Sequence, residues 1–149
     1  MSTEIVVSGS AAHFEQLIVA RTHRLVGDEP LGDGGGDAGP TPYEFLLAAL
    51  GSCTSMTLGW YARSKAWPLE SVEVRLRHSR RHEADCVDCE EKAPMLDHID
   101  RDIELRGNLT PEQRARLIEV ANKCPVHRTL TSKIVIETRE VGPAISQQR

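Results

Sequence analysis

The sequence has few aromatic residues and lacks the patterns that mark secreted, membrane-spanning and nucleic-acid-binding proteins. Only two Phe, two Tyr and two Trp occur among 149 residues. The first four residues are not a basic segment followed by an apolar run, so we expect no secretory signal. No apolar stretch approaches about 20 residues, so we expect no membrane span. The formal net charge is -4, and no basic patch is interleaved with aromatics, which argues against a nucleic-acid partner.

These absences predict one cytoplasmic domain over residues 1–149. A chain of this length can bury a sizeable core. The cytoplasm keeps thiols reduced, so cysteines there point to metal binding or catalysis before structural disulfides. The chain has four of them: Cys53, Cys86, Cys89 and Cys124.

The first half of the chain contains a helix start that runs into its most apolar segment. Thr41 is a good N-cap, Pro42 suits the first helical position, and Glu44 completes a Thr-x-x-Glu capping box. The residues that follow are apolar or small on every side, which is typical of a buried helix. We predict a helix from Pro42 to about Ala66, ended by the Trp-Pro pair that follows, with Cys53 in its wall.

A second helix begins with the same device. Thr110 is the N-cap, a proline follows it, and Gln113 closes the box. We predict that this helix continues to Lys123 and that Pro125 stops it. Its apolar positions follow the i, i+3, i+4, i+7 rule of a buried stripe, which contains Leu117, Val120, Ala121 and Cys124.

Each of these two helices carries one cysteine on its apolar side. Helices that pack about 8–10 Å apart can bring such thiols together. A pair of this kind can cycle between dithiol and disulfide, because peroxide converts one thiolate to a sulfenic acid and the second thiol condenses with it. Two buried cysteines that act only as small hydrophobes are the alternative, and the pattern alone leaves both open.

The remaining periodicity predicts five strands and an α+β fold. The order is two strands, a helix, two strands, a helix and a strand, which is not the regular alternation of a parallel sheet. We therefore expect antiparallel sheets packed around the two cysteine helices. The strands are predicted at Ile5–Val7, Phe14–Val26, Ser71–Ser79, Ile99–Arg106 and Leu130–Thr138.

A reactive Cys53 needs a positive partner. It lies in mid-helix among apolar neighbours, where neither the helix dipole nor the surroundings favour a thiolate. Glu44 is nine residues earlier, and a long arginine can bridge the two positions, although the capping role of Glu44 competes with this one. The candidate cations are Arg21, Arg24, Arg63 and Arg128.

Residues 86–89 form a separate Cys-Val-Asp-Cys motif. With His82, four residues earlier, they supply three possible zinc ligands, and the fourth would be His78, His98 or a water. The motif does not open a helix in a βαβ unit, so a thioredoxin-type site is disfavoured. Exposed loop cysteines without metal are the competing interpretation.

The sequence Cys124-Pro-Val-His127 suggests a Cys–His nucleophile. A hydrolase of that kind also needs an orienting third group and an oxyanion hole, and the pattern supplies neither. We therefore interpret His127 as a structural hydrogen-bonding residue near a helix end.

Residues 40–58 resemble the first cysteine helix of the OsmC/Ohr family of osmotically induced and organic-hydroperoxide-resistance proteins. Residues 109–127 resemble the second cysteine helix of that family, and the likeness extends from about Ile18 to Thr138. The combination of His23, Asp-Glu-Pro at 28–30 and Cys-Pro-Val-His is similar to the OsmC-like branch.

The resemblance implies an intertwined homodimer of α+β subunits with two active sites at the interface. It implies thiol-dependent reduction of organic hydroperoxides, with Cys53 as the peroxidatic thiol and Cys124 as the resolving thiol. It implies no metal and no bound cofactor, and a dithiol reductant such as a lipoylated protein. Arg21 is the nearest match to the family's catalytic arginine, with Glu44 as its acidic partner.

The helix start departs from the pattern of the Ohr proteins in one position. Their catalytic glutamate directly follows the proline, whereas Tyr43 follows Pro42 here and Glu44 comes next. The sequence around Arg21 also differs, so His23 is a second candidate beside the thiol. Two other functions stay open: a redox sensor or disulfide-exchange protein that uses the same cysteines, and a non-enzymatic module that binds an apolar ligand.

Overall fold

The computed structural model describes residues 3–82 and 95–142. Two antiparallel sheets pack with helices over this part of the chain, so the α+β prediction is confirmed. Residues 31–33 form one 3-10 turn. The strands are β1 Val6–Gly9, β2 Gln16–Ala20, β3 His23–Gly27, β4 Leu69–His82 and β5 Met95–Gly107, and the helices are α1 Pro42–Ser64, α2 Pro111–Ala121 and α3 Pro125–Leu130.

The first three strands form a small antiparallel sheet in the order β1-β2-β3. The single strand predicted over Phe14–Val26 is wrong, because the chain reverses inside it and pairs Ala20 with His23. Arg21 makes the reversal with a positive φ of 56°. The sequence gives no glycine or asparagine there to signal a left-handed turn residue. Arg21 and His23 therefore do not lie on one strand face.

Strands β4 and β5 form a long two-stranded ribbon. Both run further than predicted, and their register pairs Val74 with Ile103. The alternation places apolar side chains against the helices and charged ones on the exposed face. Ion pairs across that exposed face include Arg77 with Asp102 at 2.5 Å. Pairs this exposed contribute little stability individually, roughly 0–1 kcal/mol.

Helix α1 spans the predicted residues because both of its ends are encoded locally. The Thr41 N–H donates to Glu44 Oε2 at 2.8 Å, and the Glu44 N–H donates to Thr41 Oγ1 at 3.2 Å. After the helix, Ala66 takes a left-handed conformation with φ 53°. The Trp67 N–H then donates back to the Ala62 carbonyl at 2.9 Å, which closes the last turn.

The buried core lies between the second half of α1, helix α2 and the inner face of the ribbon. Leu58 and Leu117 are fully buried and meet in this layer. Burial of each such side chain contributes on the order of 1.5–3 kcal/mol. The ribbon contributes Val72, Ile103 and Leu105 to the same cluster. The core therefore fixes α1 and α2, which carry or precede the two cysteines.

The end of the described chain differs from the prediction. A strand was expected over Leu130–Thr138, but α3 continues through Leu130 and residues 133–142 pair with no strand of the described chain. Isolated extended backbone gains no ladder hydrogen bonds without a neighbour. The apolar side chains of this segment are exposed, and Ile136 is 84% exposed.

Helix α1 is long and apolar enough, by length and composition alone, to cross a membrane. In the fold it packs against β4, α2 and α3. The core helix of a globular protein passes the same test.

Candidate active site

Cys53 lies in the middle of α1 and is half-buried. The helix approaches the ribbon closely at this point, because a Cβ on Gly51 would lie 2.8 Å from Leu76 Cδ1. The residue after the cysteine, Thr54, is fully buried. Cys53 is thus held on a rigid element, with its thiol between the core and solvent.

Cys124 lies at the junction of α2 and α3 and is fully buried. The predicted continuation of α2 to Lys123 is wrong: the helix ends at Ala121, and Cys124 is the N-cap of α3. The cause is Pro125, which forces the preceding residue into an extended conformation, and Cys124 has φ -62° and ψ 143°. Its sulfur accepts the His127 N–H at 3.3 Å.

The two cysteine-bearing segments meet at Thr54. The Thr54 Oγ1 lies 3.8 Å from Cys124 Sγ, and Thr54 is the residue next to Cys53. Consecutive Cα atoms are about 3.8 Å apart, so the Cys124 sulfur contacts the turn of α1 that carries Cys53. Both cysteines have free thiols in this structure.

Arg101 connects three elements around Cys124 and was not among the predicted site residues. Its guanidinium donates to Thr54 Oγ1 at 3.0 Å and to Asn122 Oδ1 at 2.9 Å. A further contact joins Arg101 Nη2 to His127 Nδ1 at 3.2 Å. The arginine on β5 therefore ties α1 to the α2–α3 junction beside the buried thiol.

One sequence signal for Arg101 was available. Ile99, Ile103 and Leu105 are partly buried on the same face of β5, and Arg101 occupies the same register in that inward stripe. A charged residue at such a position requires a partner inside the fold.

The surroundings of His127 favour its neutral imidazole. Burial, and secondarily the charge of Arg101, lowers the pKa of His127 below 6.5. Arg101 can only donate, so His127 Nδ1 accepts and Nε2 carries the ring proton. The geometry is that of a structural hydrogen-bonding residue.

The predicted activating groups lie elsewhere in the chain. Glu44 is exposed and is engaged in the capping box of α1. His23 is exposed on β3. Within residues 3–82 and 95–142, no hydrogen bond or ion pair joins either cysteine to any of the four arginines proposed from the sequence. All four are exposed: Arg21 in the β2–β3 turn, Arg24 on β3, Arg63 at the end of α1 and Arg128 on α3.

Cys86 and Cys89 lie outside the described residues, so the zinc prediction made with His82 stays a prediction. Of the alternative fourth ligands, His78 is hydrogen-bonded through Nε2 to Asp97 Oδ1 at 2.8 Å. His98 contacts Asp100 at 3.2 Å. Both histidines therefore already have carboxylate partners on the ribbon.

An apolar groove of about 710 Å³ lies between the small sheet and the start of α1. Ile18 and Leu25 line the sheet side, and Phe45 and Ala49 line the helix side. Ala49 precedes Cys53 by four residues, so the two lie on the same side of the helix, one turn apart. The lining of the groove on α1 therefore ends one helical turn before Cys53.

A family model described as OsmC-like protein matches residues 34–139. No curated protein matches the sequence. The range matched by the family model contains both cysteine segments and the whole β4–β5 ribbon.

Several solved structures share this fold at low sequence identity. An OsmC-like protein from Mycoplasma pneumoniae superposes with a TM-score of 0.69 at 17% identity, over 87% of each chain. An organic hydroperoxide resistance protein from Legionella pneumophila gives 0.63 at 16% identity, over 88% of this chain and 90% of that one. OhrB of Bacillus subtilis, described as an organic hydroperoxide resistance protein, gives 0.60 at 14% identity, over 88% and 91%.

Proposed function

Because the chain belongs to the OsmC-like protein family, we propose that it is a thiol-dependent peroxidase that reduces organic hydroperoxides. Structural neighbours described as organic hydroperoxide resistance proteins support a redox role of this kind. In this proposal Cys53 is the peroxidatic thiol and Cys124 the resolving thiol. No metal or bound cofactor takes part.

The observation that carries the proposal is the contact between Cys124 and Thr54. A sulfur 3.8 Å from Thr54 Oγ1 lies against the helical turn that presents Cys53. The contact supports a resolving role for Cys124, because it lies one residue along α1 from Cys53.

The difference in burial between the two cysteines supports these roles. Cys53 is half-buried, whereas Cys124 is fully buried. A peroxide from solvent therefore reaches Cys53 first. Cys124 is sheltered from peroxide and needs only to meet Cys53, as a resolving thiol does.

The reaction balances in three steps. The Cys53 thiolate attacks the distal oxygen of ROOH, the O–O bond breaks, and the leaving alkoxide takes a proton to become ROH. The Cys124 thiol then attacks the Cys53 sulfenic acid; an S–S bond forms, the S–O bond breaks, and water leaves. A dithiol reductant finally returns the disulfide to two thiols and is itself oxidised to a disulfide.

Arg21 and Glu44 are our proposed cation and acidic partner for the Cys53 thiolate, as the family resemblance implies. Arg21 is exposed at a tight turn, and Glu44 is exposed at the start of α1. His23 stays the second candidate for the cation's role. The proposal requires one of these groups to reach Cys53 in the assembled protein.

We propose that the assembled protein is a homodimer. Helix α1 exposes Met56 at 72% and Trp60 at 64%, and the C-terminal segment exposes Ile136 at 84%. Apolar surfaces of this extent mark interaction sites, and a second copy of the same chain is the commonest partner for a soluble protein. Its compartment is proposed to be the cytoplasm, where dithiol reductants are available.

The groove beside α1 supports an organic substrate. Its lining is apolar on both walls and ends one helical turn from Cys53. The same observation favours the second candidate, a non-enzymatic module that holds an apolar ligand. The two differ in what the thiols do, because a binding module works without Cys53.

The test is to add one equivalent of cumene hydroperoxide to the reduced protein and to alkylate the remaining thiols. Mass spectrometry should show loss of free Cys53 and Cys124 and a peptide that joins them. Unchanged thiols at Cys53 and Cys124 would reject the peroxidase.

Turnover separates the remaining alternatives. With a dithiol such as dihydrolipoamide, the peroxidase consumes hydroperoxide over many cycles, and Cys53→Ser abolishes consumption. A redox sensor or disulfide-exchange protein passes its disulfide on without such turnover. A binding module retains its ligand affinity after Cys53→Ser.

A further inference from the structure

Arg101 carries a positive charge whose hydrogen-bond partners are all neutral. They are the hydroxyl of Thr54, the amide oxygen of Asn122 and the imidazole of His127. Among the residues that the structure describes, no carboxylate pairs with Arg101. The arginines on the opposite face of the ribbon differ, since Arg77 pairs with Asp102 and Arg81 with Asp100.

Thr54 fixes the direction of the hydrogen bond with Cys124. The Thr54 hydroxyl has one proton, and it donates that proton to the Leu50 carbonyl at 2.7 Å. Arg101 Nη1 donates to the same oxygen at 3.0 Å. In the contact with Cys124 the hydroxyl oxygen must therefore accept, and the Cys124 S–H donates.

Loss of the Cys124 proton would reverse this arrangement. A thiolate can only accept hydrogen bonds, and the His127 N–H already points at the sulfur at 3.3 Å. The Thr54 hydroxyl can then turn its proton from the Leu50 carbonyl to the sulfur. The Arg101 charge stays in place on the far side of the hydroxyl, where it favours the negative sulfur.

The other charged and titratable groups near this thiol can be named for each element. Helix α1 contributes Cys53, the α2–α3 junction contributes the exposed Lys123, and α3 contributes His127 and the exposed Arg128. Arg101 differs from these groups because its permanent positive charge is hydrogen-bonded to Thr54, which contacts Cys124.

We propose that Arg101 is a positioning residue that acts through Thr54 to stabilise the Cys124 thiolate when Cys124 attacks the Cys53 sulfenic acid. The role rests on the proposed peroxidase function and concerns its second step alone. In that step the S–S bond forms, the S–O bond of the sulfenic acid breaks, and the leaving hydroxide takes the proton that Cys124 gave up.

The experiment separates the two oxidative steps in rapid-quench mass spectrometry. Dimedone traps the sulfenic acid on Cys53, and a non-reducing digest measures the Cys53–Cys124 disulfide. Closure, the formation of the Cys53–Cys124 disulfide from the sulfenic acid, should be about tenfold slower in Arg101→Gln at pH 7. A tenfold change corresponds to the lower end of the free-energy range for a hydrogen bond to a charged group. The dimedone adduct should accumulate, and the rate of sulfenic acid formation in a Cys124→Ser background should not change.

A pH profile distinguishes the charge from a merely structural bridge. In Arg101→Gln the pH at which closure reaches half its maximal rate should move upward. Arg101→Lys keeps the positive charge but lacks the planar guanidinium with its several donors. Its closure rate should therefore be much nearer to that of the unmodified protein than the rate of Arg101→Gln. Arg77→Gln, on the exposed face of the ribbon, is the matched control and should behave as the unmodified protein does.

Two outcomes overturn the role of Arg101. One is unchanged closure at every pH in a folded Arg101→Gln variant. The other, decisive even if Arg101→Gln fails to fold, is an Arg101→Lys variant that folds but closes no faster than Thr54→Val. Failure of the peroxidase itself looks different, because the unmodified protein would then form neither a dimedone adduct at Cys53 nor the Cys53–Cys124 disulfide.

Discussion

The sulfur of Cys124 lies 3.8 Å from the hydroxyl oxygen of Thr54, across the contact between α1 and the start of α3. This oxygen also accepts from Arg101 and its proton is given to Leu50, so it serves three partners. One buried hydroxyl thereby links the ribbon, the first cysteine helix and the second cysteine.

Replacing that hydroxyl should destabilise the fold. Thr54→Val keeps the shape but leaves Arg101 Nη1 and the Cys124 S–H without an acceptor, at a cost of about 1–3 kcal/mol. Thr54→Ser keeps the hydroxyl and should lose less. Urea unfolding of the reduced proteins gives both free energies, and equal losses in the two variants would contradict the role of the hydroxyl.

Glu44 can be tested as a cap and as a catalytic residue at once. Glu44→Ala removes the side chain that accepts the Thr41 N–H, so thermal stability should fall by about 0.5–1 kcal/mol. Glu44→Gln keeps an acceptor and should keep most of the stability. Gln113→Ala makes the equivalent change in the capping box of α2.

The same variants report on the thiol. If Glu44 holds the cation at Cys53, both Glu44→Ala and Glu44→Gln slow sulfenic acid formation, whereas Gln113→Ala does not. If Glu44 is only a cap, the reaction of Glu44→Gln with hydroperoxide matches that of the unmodified protein. Dimedone trapping at Cys53 measures the rate in each case.

Asp28 should make the stability of the protein depend on pH. Its carboxylate accepts N–H donors from Ala38, Glu29 and Gly36, and these bonds hold the pKa of Asp28 below 3.8. Because the pKa of Asp28 is lower in the folded chain than in the unfolded chain, the carboxylate stabilises the fold fully at a pH above its unfolded-state pKa. This stabilisation is lost as the pH falls through the folded-state pKa.

The expected result is a stability gap between the unmodified protein and Asp28→Asn that is widest near neutral pH. The gap should narrow as the pH falls below about 4. Thermal unfolding from pH 6 to pH 2 measures it, with Asp33→Asn in the same loop as the control. A gap that stays constant over this range would show that the carboxylate charge does not matter.

Ala66→Gly should stabilise the protein. Ala66 has φ 53°, a conformation that costs an L-residue roughly 1–2 kcal/mol. Glycine removes that cost but loses about 0.4–1 kcal/mol through the unfolded chain, so the net gain is about 0.5–1 kcal/mol. Ala48→Gly, the same change at an exposed position inside α1, should lose about 1 kcal/mol. Chemical denaturation of both variants checks the opposite signs.

If the protein is the proposed homodimer, a charge placed in the C-terminal segment should lower the molecular mass of the assembly in solution. Ile136→Lys places a charge on a side chain that is exposed in the single chain, so it should cost the monomer little but should weaken a dimer that buries it. Light scattering coupled to size exclusion measures the mass. Glu137→Lys, the polar neighbour, is the control, and an unchanged mass in Ile136→Lys argues against burial of this segment.

The elements that were predicted correctly are those that depend on short-range sequence patterns. Both helix starts follow from Thr-Pro capping boxes, and both ribbon strands follow from alternation, so their existence and type were right. The β2–β3 turn was missed because Arg21 adopts a left-handed conformation that its residue type does not signal. The strand expected at residues 130–138 was wrong because extended backbone needs a partner that the described single chain does not supply.

The site was predictable in part for the same reason. The spacing of apolar residues correctly placed Cys53 on α1 and predicted that Cys124 is buried, although Cys124 lies at the α2–α3 junction and not on a helix face. Arg101 is far from both in sequence, and the register of β5 and the bend at Pro125 bring it to Thr54 and His127, which contact Cys124. That information is tertiary, because it depends on which residue of the ribbon lies opposite Thr54.

The complete burial of Cys124 also determines where oxidative damage accumulates. When peroxide is in excess, a second molecule competes with Cys124 for the Cys53 sulfenic acid and converts it to a sulfinic acid, which the dithiol reductant does not reverse. Cys124 has no surface from which to meet that peroxide. We expect overoxidation to occur at Cys53 while Cys124 stays a thiol. An inactivated molecule then contains a sulfinic acid at Cys53 and an unmodified Cys124.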